Sequence, residues 1–168
     1  GGFSELKSSA YTAQADSPLL DFRQSPDDKS NMAKYLFGGF QKCLYTVQKF
    51  HSDAERQLSV ILEREAEKWF KPAKGQFQIF YKIRADHFEY QPDFVGEMRD
   101  CIYMLEPKAR NQIDDPIVLA KKEAALKWCK QASDYAKGYD GKPWKYVLIP
   151  HDVIAENITL EGLEKQFG

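Results

Sequence analysis

Two carboxylates and a lysine are spaced along this chain so that one β-hairpin would gather them, and a further glutamate stands at a helix start. Tyr90-Gln91-Pro92-Asp93 opens an apolar stretch, and Glu106-Pro107-Lys108 closes the next one. Residues 93–98 and 101–108 read as antiparallel strands joined at Arg99-Asp100. In a two-residue hairpin, opposed positions sum to a constant, so Met98 faces Cys101 and Asp93 falls opposite Glu106. Side chains opposed in this way share a face, with Cβ atoms about 4.5–5.5 Å apart. Strand alternation adds Lys108 to that face. Two carboxylates so close repel unless a cation lies between them, and oxygen donors without sulfur or imidazole suit Mg²⁺ or Mn²⁺. Arg-Asp is not a favoured hairpin turn, and a three-residue loop would shift the pairing by one.

The fourth residue, Glu55, has two readings. Ser52-Asp53-Ala54-Glu55 is a capping box, in which Glu55 bonds back to the Ser52 amide. Alternatively, Glu55 points from its helix into the hairpin site. Glu63 and Glu65, further along the same helix, are weaker candidates for a third carboxylate.

The elements that must position these groups follow from periodicity. Residues 52–69 carry Ala54, Leu58, Ile61, Leu62 and Trp69 on one helical stripe, and Lys71-Pro72 stops it. Phe77, Ile79 and Tyr81 alternate through a strand over 75–83, and a turn at Asp86-His87 leads into 87–90. After the hairpin, Asp115-Pro116 supplies an N-cap and a favoured first residue for a helix over 117–137, with Gly138 as its stop. Residues 144–149 read as a buried strand ended by Pro150, and a short helix is expected after Thr159. Upstream, residues 31–47 show three- and four-residue apolar spacing, which predicts an extra N-terminal helix bent near Gly38-Gly39. The order α-β-β-β-α-β implies a crossover, and therefore an α/β fold whose central mixed four-stranded sheet is flanked by helices.

Composition bounds the rest. The 168 residues make one domain, with residues 1–30 read as a linker or extended arm from an upstream domain and 31–168 as the folded unit. The Gly1-Gly2 start reads as a tag remnant on an excised fragment. A net charge of -1 argues against an all-over basic nucleic-acid binder. One local basic surface remains, with Lys121, Lys122, Lys127, Lys130, Lys137, Lys142 and Lys145 set against Glu123, Asp134 and Asp140. It is either a solvated face or a phosphate-contacting one, and Lys121, Lys122 and Lys127 are the DNA-contacting candidates. Cys43, Cys101 and Cys129 lack metal-ligand spacing and read as buried thiols of a cytoplasmic protein. His51, His87 and His151 are taken as structural. No Gly-rich phosphate loop, nucleophile elbow or membrane-spanning run occurs.

With these residues in place, the chain resembles the PD-(D/E)xK nuclease superfamily. The signature stands as Pro92-Asp93 and Glu106-Pro107-Lys108. More narrowly, the chain is similar to the C-terminal endonuclease domain of type III restriction enzymes, the Res subunit, and to related helicase–nuclease proteins. Phe50-His51-Ser52-Asp53-Ala54-Glu55, Tyr90 to Phe94, Leu105 to Lys108 with Asp115-Pro116 after it, and Ala124-Ala125-Leu126-Lys127-Trp128 carry that likeness over residues 45–150. The resemblance implies a restriction-endonuclease-like core that hydrolyses DNA phosphodiesters with Mg²⁺, or with Mn²⁺. It implies that Asp93 and Glu106 hold the metal, that the Pro107 carbonyl completes its shell, and that Lys108 orients water. Glu55 matches the glutamate such domains supply from their first helix. The implied partners are double-stranded DNA, an upstream helicase domain in the same polypeptide, through which alone ATP would act, and a modification methyltransferase subunit. The alternatives are a catalytically silent DNA-binding or interaction module with the same fold, or a DNA repair nuclease. Pro107 has no N–H to give a ladder, which puts the pairing around it in question.

Overall fold

The computed structural model describes residues 17–168. In chain order these form β1 (Leu19–Asp21), β2 (Leu36–Gly38), α1 (Asp53–Glu65), β3 (Lys68–Phe70), β4 (Ile79–Ile83), β5 (Asp86–Tyr90), β6 (Phe94–Glu97), β7 (Ile102–Lys108), α2 (Pro116–Ala136), β8 (Trp144–Pro150) and α3 (Leu160–Phe167). Four of the strands make a mixed sheet in the order β3-β6-β7-β8. Its nucleus is the hairpin read from the sequence. β6 and β7 pair antiparallel from Phe94↔Leu105 to Glu97↔Ile102, and the Met98 amide donates to the Cys101 carbonyl at 2.8 Å. The turn is Arg99-Asp100 and the register is the two-residue one.

β7 is interior, as its two apolar faces require. β8 lies parallel along its other side, paired through Lys108↔Pro150, and α2 is the crossover that a parallel pair needs. Asp115 accepts the Ile117 amide at 2.8 Å, and Pro116 opens the helix. α2 lays Val118, Ala125 and Cys129 against Met104, Tyr146 and Leu148 on one sheet face. α1 covers the opposite face with Leu58, Ile61 and Leu62, packed on Trp69, Phe94, Leu105 and Ile149. α3, capped by the Thr159 hydroxyl, adds Leu160 and Leu163 to that side.

The linear order differs from the one expected at four places. α1 ends at Glu65, not at residue 69, because Ala66 turns extended and the chain continues as β3. Trp69 still joins the α1 stripe in the core, but from the edge strand of the sheet. β4 and β5 stand apart as a separate two-stranded hairpin, turning at Arg84-Ala85 with Arg84 left-handed at φ 57°. Hence β3, not the 75–83 stretch, supplies the third strand of the central sheet.

The expected helix over 31–47 is absent. Lys29–Lys34 forms a 3-10 turn, and β2 pairs parallel with β1. Gly39 at φ 86° breaks the helical path, and a Cβ there would meet the Asp21 carboxylate at 2.4 Å. Within the segment read as linker or arm, residues 1–16 lie outside the described residues. Phe22 is buried in the core, and its carbonyl accepts from Arg56 of α1 at 3.0 Å. Cys43, Cys101 and Cys129 are all buried.

Candidate functional site

The β6–β7 ladder stops at Phe94↔Leu105. One further step would pair Asp93 with Glu106, and the next would pair Pro92 with Pro107. Neither proline can donate an N–H, so the antiparallel ladder has no means of continuing. Pairing with β8 is undisturbed and runs past Pro107↔Ile149 to Lys108↔Pro150. The sheet therefore opens on one side of β7, where groups from both faces can meet.

They meet in a cavity of about 190 Å³. His51, Ser52 and Glu55 line it from the entrance of α1, Asp93 from the start of β6, and Pro107, Lys108 and Ala109 from the end of β7, with Gln112 and His151 at its margin. Glu106 lies behind this lining, 5 % exposed. Its Oε2 accepts the Tyr90 hydroxyl, and its Oε1 faces Lys108 Nζ at 3.8 Å. Asp93 and Glu106 lie close enough for each to act on the other's charge. Thus Asp93, Glu106, Lys108 and Glu55, distant in sequence, share one site.

Both readings of Glu55 hold in part. The Ser52 hydroxyl accepts the Glu55 amide at 3.2 Å, which is half of a capping box. The Glu55 carboxylate, however, takes the His51 amide at 3.1 Å and the Lys71 ammonium at 2.8 Å. Glu63 and Glu65 point elsewhere. Glu63 accepts the Gln41 and Lys42 amides and the Trp69 indole, and Glu65 accepts the Leu160 amide.

The electrostatics follow from burial. Desolvation and then the Asp93 charge push Glu106 up to about 8, against the Tyr90 hydroxyl and Lys108. Burial and the Glu55 charge likewise raise Asp93, opposed by Lys71, the Glu106 contact and Lys108. The two acids therefore titrate as a pair, the charge of one making ionisation of the other harder. Burial works to raise Glu55 too, but the Lys71 charge and the hydrogen bonds from Lys71 and the His51 amide bring it below its usual value. The Tyr146 hydroxyl, buried beside this pair, has no hydrogen-bond partner among the described residues.

Among the described residues no group of three or more His, Cys, Asp or Glu side chains is placed to hold a metal ion. The donor set at Asp93 and Glu106 is nonetheless of the kind a hard divalent ion takes. Mg²⁺ keeps several waters and needs only one or two carboxylates. A buried Glu106 and a half-buried Asp93, both raised by desolvation, would be relieved by such a cation. The Pro107 carbonyl lies beside them in the lining.

The α2 lysines are not one patch. Lys121 and Lys122 flank the buried stripe on its two sides, and Lys127 projects from the far side of the helix. Lys121 Nζ sits over the Tyr81 ring at 5.6 Å. Lys130 and Lys137 pair with Asp134, Lys142 with Glu67 and Glu97, and Lys145 with Glu164 beneath the opposite sheet face.

Sequence reasoning missed Lys71, Tyr90 and Tyr146, and it gave His51 and His151 no place at the site. Lys71 had a signal, since it lies two residues after Trp69 and alternation puts both on one face. No protein-family description matches the chain, and comparison with curated proteins finds no significant relative. No helix among the described residues is long and apolar enough to cross a membrane.

Proposed function

We propose that this pocket hydrolyses DNA phosphodiester bonds with a divalent metal, as a PD-(D/E)xK endonuclease domain of the restriction type. The observation that carries the reading is the closeness of Asp93 to Glu106 at the opened end of the sheet, with Lys108 beside Glu106. Asp93, Glu106 and the Pro107 carbonyl would hold Mg²⁺ or Mn²⁺, which when bound supplies Lewis acidity and an activated water. Tyr90 fixes the orientation of the Glu106 carboxylate. Lys108, half-buried and already beside Glu106, positions water and stabilises charge developing on a phosphate oxygen. Glu55 acts through Lys71. Double-stranded DNA is the proposed substrate. An upstream helicase domain and a methyltransferase subunit are the proposed partners, with ATP used only in the former.

A second reading has its own support. A catalytically silent DNA-binding or interaction module on the same scaffold fits the absence, among the described residues, of a three-ligand cluster. It also fits carboxylates that already have partners, Glu106 in the Tyr90 hydroxyl and Glu55 in the Lys71 ammonium. A DNA repair nuclease would share the site and differ only in its partners.

Incubation of supercoiled plasmid with the protein and Mg²⁺ separates the first two readings. The nuclease reading expects nicking that Asp93→Asn and Lys108→Ala each abolish while far-UV circular dichroism stays unchanged. Plasmid that stays intact with wild-type protein and its helicase partner, but is retarded on a gel, favours the silent module.

A further inference from the structure

We infer that Lys71 is the charge-setting residue of this pocket, weakening its hold on a bare divalent cation and strengthening its hold on a phosphodiester. The inference rests on the metal-binding reading of Asp93 and Glu106. Lys71 follows β3, where alternation turns it inward with Trp69. Its side chain is 14 % exposed, and its ammonium bonds Glu55 Oε1 at 2.8 Å. The same ammonium lies 4.3 Å over the Phe94 ring and 5.9 Å from that of Phe50. A lysine held between a carboxylate and two aromatic faces is fixed in place, and its charge reaches Asp93 as well as Glu55.

The consequence is one of charge balance. Ionised, as they must be to hold a divalent ion, Glu55, Asp93 and Glu106 bring three negative charges to the site, and Lys71 and Lys108 bring two positive ones. A divalent cation turns that set into a site with a surplus of one positive charge, which matches the single charge of a phosphodiester. Without Lys71 the loaded site is neutral and has no net attraction for the substrate. The same ammonium repels the incoming metal, and in a partly buried site a unit charge at such range is strong enough to change affinity by about tenfold. A merely structural lysine would not move the two affinities in opposite directions.

Calorimetric titration of the full chain with Mn²⁺, and binding of a short DNA duplex in Ca²⁺, test this with wild type, Lys71→Met and Lys71→Arg. We expect Lys71→Met to bind Mn²⁺ about tenfold more tightly and DNA about tenfold more weakly, and Lys71→Arg to stay near wild type in both. A folded Lys71→Met whose Mn²⁺ affinity is unchanged or lower overturns the inference alone. Wild-type protein that binds no Mn²⁺, or binds it as Asp93→Asn does, removes the metal reading and this inference with it. If Lys71→Met does not fold, Lys71→Gln is read in the same way, and failure of both marks Lys71 as purely structural and ends the proposal.

Discussion

At Glu106 the physical chemistry is a contest between burial and charge, and burial wins. A carboxyl raised from its ordinary 4.5 to about 8 binds its proton more tightly folded than unfolded. Its contribution to stability is therefore complete below pH 4.5 and is lost as pH rises through 8. Metal-free protein should lose stability across that window, by a few kcal/mol at most because Asp93 titrates with it. Glu106→Gln keeps an acceptor for the Tyr90 hydroxyl without a charge to bury. We expect it to be more stable than wild type in urea at pH 8.5 without metal, and not at pH 5. Equal pH profiles for the two proteins would mean that Glu106 is not the group responsible. These residues were legible in the sequence because a two-residue turn fixes which side chains oppose each other. Lys71 was harder to place, because its alternation with Trp69 counts only once that run is a strand, and the run fits a helical stripe equally well.

Among the elements, α1 lies directly against β6 at Gly96. A Cβ at Gly96 would stand 2.7 Å from Leu62 Cδ2, and Leu62 has no exposed surface into which to move. Gly96→Ala should therefore cost about 1–3 kcal/mol in thermal or chemical denaturation. Leu62→Val in the same chain should return part of that loss, and strict additivity of the two substitutions would refute the contact. The hairpin, α2, β8 and α3 could be read from period, caps and turns. The short strands β1, β2 and β3 could not. Three residues give too little alternation to register, and their pairing partners lie far along the chain or come from loops. The spacing over 31–47 misled for a related reason: Met32, Tyr35 and Phe37 are all buried, but by a turn and a strand rather than by one helical face.

For the whole molecule, the described part of the N-terminal segment is bound into the larger core. Arg56, 3 % exposed, donates to the Phe22 carbonyl and to Asp53, and Phe22 itself fills space beside Phe40. A chain cut to 31–168 would leave a buried guanidinium short of an acceptor and a cavity where the ring had been. We expect it to be destabilised by several kcal/mol relative to a chain cut to 17–168, read as a lower calorimetric transition temperature. Equal transitions for 31–168 and 17–168 would return residues 17–30 to the role of a dispensable tether.

The parallel joining of β7 to β8 across α2 has a kinetic corollary. The turn between β6 and β7 can zip early, because its partners are neighbours, whereas the strand that completes the pocket's floor arrives only after residues 109–143 have wound into place. Refolding chains should thus regain hydrogen-exchange protection around Arg99-Asp100 before they regain it along residues 146–150. The acids would be side by side before His151 and the rest of the pocket margin closed over them.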